Sequence, residues 1–301
     1  MDLTYGIVGI VGKPNVGKSS LLNAIIKEKV SIVSPKPQTT RDKVMGIYND
    51  EDSQIVFVDT PGIFTSDSKL GDYMNRNVAS VASDVDLLLV LVDGSKQINE
   101  ETVKFLNRFK NQKIILVVTK VDLMTFEKLY PKLAILNALD FVIDIIPLSS
   151  HKNKNIDVLL SAIKKNLPKG DESCLMFERD IYTNKSVKFL ASEIIREKLL
   201  LALDDEVPHG VAISIVKFEE EEGLTRISAD IICEKDSHKG IILGKNGQML
   251  KKIAQNARID IEKMLQNKVF LEVFVKVKNN WKNSLALLSE IGYNNSDEWD
   301  A

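Results

Sequence analysis

Cysteine is scarce in this chain of 301 residues: there are two, Cys174 and Cys233, in no metal-ligand spacing. That excludes a disulfide framework and a thiolate metal site, and both are read as reduced, non-functional thiols. Histidine is scarce too, and the three residues His151, His209 and His238 are assigned to loops without metal partners. No apolar run approaches the length of a membrane span, and the opening "MDLTYGIVGI" lacks a basic leader before an apolar core, so the expected location is the cytosol. Nor is there a repeat or a low-complexity tract. With 44% hydrophobic and 27% charged residues the composition is that of an ordinary globular protein, long enough for two domains. An excess of one charge is missing overall, at a formal net charge of -2, yet Lys235 to Lys282 holds eleven Lys or Arg against four Asp or Glu. A polyanion is therefore expected to bind the last third.

What is present is an ordered pattern. Apolar runs at Tyr5 to Val11, Val44 to Tyr48, Gln54 to Val58, Leu87 to Val92, Ile114 to Val118 and Val142 to Pro147 alternate with helical stretches, the first from Gly17 to Lys27. Short β-branched runs alternating with helices predict an α/β fold with a mostly parallel sheet covered on both faces. The pattern lapses at "LPKGDESCLMFERD", where a domain boundary is placed. Beyond it come a helix over Ser186 to Leu203, strands over Val211 to Phe218 and Arg226 to Cys233, a short helical piece, a helix over Gln248 to Leu265 and a strand "VFLEVFVKV". That order is α-β-β-α-α-β, an α+β arrangement.

Residues Gly12, Lys13, Pro14, Asn15, Val16, Gly17, Lys18 and Ser19 fit G-x-x-x-x-G-K-[ST] between a strand and a helix, with Ser20 following. The glycines let backbone N–H groups converge on phosphate oxygens, and the helix turns the positive end of its dipole on the same point. Lys18 is expected at the terminal phosphates and Ser19 on Mg²⁺. "IVFVDTPG" supplies Asp59 as a second Mg²⁺ group, then Thr60, Pro61 and Gly62, whose N–H is placed to meet a γ-phosphate. In "PKPQTTRDK" a hydroxyl drawn inward by phosphate and metal would order the loop; Thr40 is favoured and Thr39 is the alternative. "VVTKVDL" carries Thr119, Lys120 and Asp122. A carboxylate there accepts from guanine N1–H and N2–H₂, a pair of donors that adenine does not present. Thr119 stands where such proteins usually carry Asn. Ser149 and Ser150 in "PLSSHK" are expected to offer backbone N–H groups to the base oxygen.

Ile63 follows Gly62 where a water-orienting Gln would stand in Ras-type enzymes, so intrinsic turnover is expected to be slow. Arg41 is a candidate phosphate contact. The carbonyl oxygen of the Asn15 side chain could hold K⁺, whose charge would stabilise the β,γ-bridge. In the last third, "GIILGKNGQMLKKI" joins two helical pieces through Gly244, Lys245, Asn246 and Gly247. In this order of elements a G-x-x-G loop is that of a KH fold and clamps about four nucleotides of RNA. Lys239, Lys251, Lys252 and Arg258 enlarge the basic face.

Taken together, "GKPNVGKSSLLN", "PQTTR", "DTPGI", "TKVD" and "KGIILGKNGQMLKKI…FLEVFVKVKNNW" resemble the bacterial Era GTPases over nearly the whole chain. The resemblance implies a Ras-like P-loop GTPase domain over 1–170, a linker over 171–184 and a type II KH domain over 185–301. It implies GTP and GDP as ligands, Mg²⁺ as cofactor, binding to small-subunit ribosomal RNA near its 3′ end, and assistance to assembly of the small ribosomal subunit. A monomer is expected. Some family members associate with the inner face of the cell membrane, which nothing in this composition shows. The reading that competes with a GTPase switch is an RNA-binding module whose hydrolysis is vestigial. A P-loop kinase or ATPase would need an adenine site, and Asp122 speaks against it.

Overall fold

The apolar runs of the first half form strands close to their expected bounds: β1 (Leu3–Gly12), β2 (Val44–Asn49), β3 (Ser53–Asp59), β4 (Leu87–Asp93), β5 (Ile114–Thr119) and β6 (Val142–Pro147). The computed structural model describes residues 3–36, 39–62, 68–204 and 207–293. The strands stand in the order β2-β3-β1-β4-β5-β6. All pair in parallel except β2, which runs antiparallel to β3, and a two-residue β7 (Lys169–Gly170), which pairs antiparallel with the start of β1. Consecutive residues of β4 and β5 are buried, Leu88 to Val90 and Ile115 to Val118 at 0% exposure, because helices cover both faces of the sheet. Those helices are α1 (Lys18–Ile26), α2 (Lys69–Ser83), α3 (Glu100–Leu106), α4 (Phe126–Asn137) and α5 (Ile156–Asn166). Parallel pairing brings the carboxyl ends of five strands, at Gly12, Asp59, Asp93, Thr119 and Pro147, to one edge of the sheet. Ligands bind at that edge in open α/β sheets.

The later elements are α6 (Val187–Ala202), β8 (Ala212–Glu221), β9 (Leu224–Cys233), α7 (Asp236–Leu243), α8 (Gln248–Leu265), β10 (Lys268–Val277) and α9 (Leu285–Ile291). Ser186 caps α6 by accepting the Phe189 N–H. The three strands lie in the order β10-β9-β8, with β9 antiparallel to β8 and parallel to β10. Ile227, Ala229 and Ile231 alternate on the inner face of β9 and pack with Ile194 and Ile195 of α6 and with Ile253, Ala257 and Ile261 of α8. The four-residue spacing on α8 puts its three apolar side chains on one stripe.

The chain divides into two compact units. The first comprises Met1–Ser31, Thr40–Phe64 and Met74–Asn184; the second comprises Ile32–Thr39, Thr65–Tyr73 and Lys185–Ala301. The stretch 171–184, read as a linker, lies along the first sheet: Gln54 bonds the Phe177 carbonyl and N–H, Tyr182 O accepts from Ile47, and Thr183 Oγ1 donates to Met45 O. Within the second unit α6 holds the segment 32–39. Glu197 accepts the Val33 N–H at 3.1 Å and Arg196 donates to the Thr39 carbonyl, both side chains almost fully buried. His238 sits on α7 and His209 in a short 3₁₀ turn rather than in loops. Cys174 and Cys233 are unbridged, and no helix among the described residues is long and apolar enough to cross a membrane.

Candidate functional site

The loop between β1 and α1 turns on two left-handed residues, Asn15 at φ 61° and Gly17 at φ 103°. Gly17 meets that torsion without a side-chain penalty. Gly62 follows the end of β3 so close to this loop that a Cβ on it would lie 2.9 Å from Pro14, so only glycine leaves the two backbones this near. Lys18 is buried and donates to the Gly12 and Lys13 carbonyls at 3.2 and 3.3 Å. Desolvation pulls its pKa down to about 8, with Asp59 opposing. A bound polyphosphate would raise it again by adding negative charge. Lys13 is paired with Glu101, Thr60 Oγ1 donates to Ile10 O, and Pro61 is buried beside them.

Four oxygen-bearing side chains meet below that loop. Ser19 Oγ lies 2.8 Å from Thr40 Oγ1 and donates to Asp59 Oδ2 at 2.7 Å. Ser31 Oγ donates to the same oxygen at 3.0 Å, with Thr40 Oγ1 at 3.4 Å. Thr39, the alternative to Thr40, instead donates its hydroxyl to the Lys36 carbonyl. Asp59 is fully buried, and burial raises its pKa against the pull of Lys18 and the three hydroxyls. Its Oδ1 has no hydrogen-bond partner among the described residues. A buried carboxylate oxygen left bare beside hard hydroxyl donors fits Mg²⁺, which takes few protein ligands and completes its shell with phosphates and water. In keeping with that, no cluster of three His, Cys, Asp or Glu among the described residues forms a metal cage. Sequence reasoning missed Ser31, because no motif spacing marks it; Arg41 is buried, and Ile63 lies outside the described residues.

At the far side of the loop, Thr119 Oγ1 lies 2.7 Å from the Val16 carbonyl and 3.1 Å from that of Val92. Lys120, left-handed at φ 58°, reaches Asn15 O at 2.8 Å and Asp93 Oδ2 at 2.7 Å. Asp93 is a second residue the motifs did not disclose. Burial works to raise its pKa, but bonds from Lys120 and Ser95 outweigh it and hold it low. Asp122 stands exposed on the next turn, where a base can reach it. The Ser149 N–H is engaged by the Lys154 carbonyl at 3.2 Å, which leaves Ser150 as the candidate donor for the base oxygen.

In the second unit Gly244 (φ 67°) and Gly247 (φ 74°) flank Lys245 and Asn246 between α7 and α8. A Cβ on Gly244 would strike Met249 at 2.6 Å, whereas nothing lies within 4 Å of one on Gly247, where a ligand backbone has room to approach. Lys245, Asn246, Lys251 and Lys252 are exposed and Lys239 is half-buried. Arg258 differs from the expectation, since its guanidinium is tied to Glu262 at 2.8 Å one helical turn on. Its charge is offset in part by that neighbour.

Residues 7–120 match the 50S ribosome-binding GTPase family and residues 206–282 the KH domain family. The chain is 44% identical to the GTPase Era of Ruminiclostridium cellulolyticum, over 97% of this chain and 98% of that one. It is 46% identical to the GTPase Era of Clostridium tetani, with coverages of 96% and 98%. Among solved structures it is similar to a point variant of Aquifex aeolicus Era bound to GDP·AlF₄⁻, with a TM-score of 0.92 at 34% identity, covering 97% of this chain and 99% of that one. The same score, identity and coverages hold for Era in complex with MgGDPNP and nucleotides 1506–1542 of 16S ribosomal RNA.

Proposed function

This chain belongs to the Era family of GTPases, and we propose that it hydrolyses GTP to GDP and phosphate and uses the nucleotide state to govern how its KH unit holds small-subunit ribosomal RNA near the 3′ end, in assembly of that subunit. The observation that carries the proposal is the convergence of Ser19, Ser31 and Thr40 on buried Asp59 beneath a phosphate loop, in a chain that also presents an open G-x-x-G loop. The relative captured with MgGDPNP and a 16S fragment supports both halves of the reading.

Each residue has a defined task. Backbone N–H groups from Asn15 to Ser20 cradle the phosphates, and Lys18 sets its charge against the terminal ones. Ser19, Thr40 and Asp59 would hold Mg²⁺, which would supply charge neutralisation at the phosphates. Thr40, whose hydroxyl lies 2.8 Å from Ser19 Oγ, is the residue through which phosphate and metal would order the loop. Asp122 accepts from guanine, and Gly62 meets the γ-phosphate with its N–H. Asn15 would lend its side-chain oxygen to K⁺, whose positive charge would stabilise what builds up at the reacting phosphate. Gly244, Lys245, Asn246 and Gly247 clamp the RNA backbone, with Lys239, Lys251 and Lys252 alongside. The protein acts as a monomer in the cytoplasm, with peripheral contact to the membrane face. Crosslinking it to RNA in cells and sequencing the fragments tests the partner: reads should pile up at the 3′ end of the small-subunit RNA, and a scatter over unrelated RNAs overturns the proposal.

A further inference from the structure

Thr119 closes β5 with 2% of its surface exposed, and its hydroxyl lies between two carbonyl oxygens, Val16 O at 2.7 Å and Val92 O at 3.1 Å. A hydroxyl has one proton, and both neighbours only accept. The proton is therefore spent inside the protein, on the phosphate loop and on the end of β4. What remains on Oγ1 can accept but cannot donate. Purine N7 is also only an acceptor, so Thr119 has nothing to offer it.

We propose that Thr119 is a positioning residue that fastens the phosphate loop to the base loop, and that this chain holds guanine by its Watson–Crick edge through Asp122 while N7 receives no donor from this position. The inference rests on the guanine-nucleotide reading above. A second contact from the same loop supports the fastening role. Lys120 donates to Asn15 O at 2.8 Å, so adjacent residues of the base loop hold adjacent carbonyls of the phosphate loop. Asp93, the strand partner of Thr119, holds the Lys120 ammonium in place at 2.7 Å.

The consequence separates strength from selectivity. Adenine and guanine both present N7, so the missing bond weakens both nucleotides alike. Discrimination stays with Asp122, which meets donors that guanine alone carries. One neutral hydrogen bond corresponds to about two- to tenfold in affinity, and nucleotide release should be faster by a similar factor.

The test uses the full chain and 7-deaza-GTP, in which N7 is replaced by a C–H, in competition with a fluorescent GDP. GTP and 7-deaza-GTP should bind the native protein within twofold of each other. In Thr119→Asn, which supplies an amide donor, GTP should gain about two- to tenfold over 7-deaza-GTP. Thr119→Val, with its fold checked by thermal unfolding, should weaken both nucleotides equally and speed the release of both. A native protein that already prefers GTP over 7-deaza-GTP fivefold overturns the proposal, as does a Thr119→Val variant whose affinities and release rates are unchanged. If neither nucleotide binds and Asp122→Asn fails to bring in XTP, it is the guanine-site reading that has failed.

Discussion

Two glycine-flanked loops at helix N-termini, Gly12 to Ser19 in the first unit and Gly244 to Gly247 in the second, are proposed to hold phosphate and are built in opposite ways. The first is a closed cage: Lys18 and Asp59 are buried, and Ser19, Ser31 and Thr40 are already gathered on one carboxylate oxygen. The second is open, with Lys245 and Asn246 exposed and nothing within 4 Å of a Cβ on Gly247. A cage of buried, desolvated groups makes each contact worth more and ties it to one geometry. An open basic loop depends on screened charge and the close approach of a backbone, which suits a long polymer. The first site is therefore expected to be sharp in its chemistry, and the second sensitive to salt.

The largest effect should come from the cage. Lys18→Ala should lower GTP turnover by about 10²–10³-fold, the cost of removing one preorganised charge contact. Turnover within about tenfold of the native rate would mean that Lys18 does not set its charge against the terminal phosphates. Next in size is the open loop. Replacing Lys245 and Asn246 by Asp should weaken RNA by on the order of 10–100-fold and flatten the salt dependence by about 0.7 in slope for each phosphate no longer neutralised, with GTP affinity unchanged. An unaltered salt slope places the RNA elsewhere.

A smaller effect would sharpen the account of the cage. Turnover should be several-fold faster in K⁺ than in Na⁺ at equal ionic strength, and Asn15→Ala should abolish the difference without preventing nucleotide binding. Equal rates in the two salts remove the cation and leave an RNA or protein partner to supply the missing charge.

The smallest effect concerns support of the first sheet. Burial works to raise the Asp50 pKa, but bonds from Lys164, Ser53 and Tyr48 outweigh it and hold the carboxyl well below the usual range. Its folded pKa lies below its unfolded one, so the stabilisation is complete above about pH 4 and is lost as pH falls through the folded value. Lys164→Gln should remove about 1 kcal/mol or less, because the pair is partly exposed. Thermal unfolding of both proteins at pH 7 and pH 3 checks this: their midpoints should differ more at pH 7.

The phosphate loop, Asp59, the base loop and the G-x-x-G could be picked out in the chain because each is a short run at the end of a strand or the start of a helix, and the first and last are shaped by their own glycines. The same locality explains why the bounds of β4, β5 and α8 could be read from periodicity alone. It also explains what the chain alone did not show. Arg258 reads as one more cation until the helix sets Glu262 one turn away. The residues 171–184 read as a linker because Pro, Gly and charges break the pattern; in the fold Gln54 bonds the Phe177 backbone and the Met45 carbonyl accepts the Thr183 hydroxyl on the first sheet.

Sequence by itself determined which chemical groups this protein has and, through short spacings, which of them share a turn. Tertiary structure alone decided that Ser31 joins Ser19 and Thr40 on Asp59, that Asp93 steadies Lys120, and that the Thr119 hydroxyl is spent on two carbonyls. It also decided that the chain changes unit between Thr39 and Thr40, so that Arg196 holds one residue and Asp59 faces the next. The physical reason is range. Glycine torsions and helix periodicity act over a few residues, whereas these contacts join positions 19 to 157 residues apart and exist only once the strands have paired and the helices have packed.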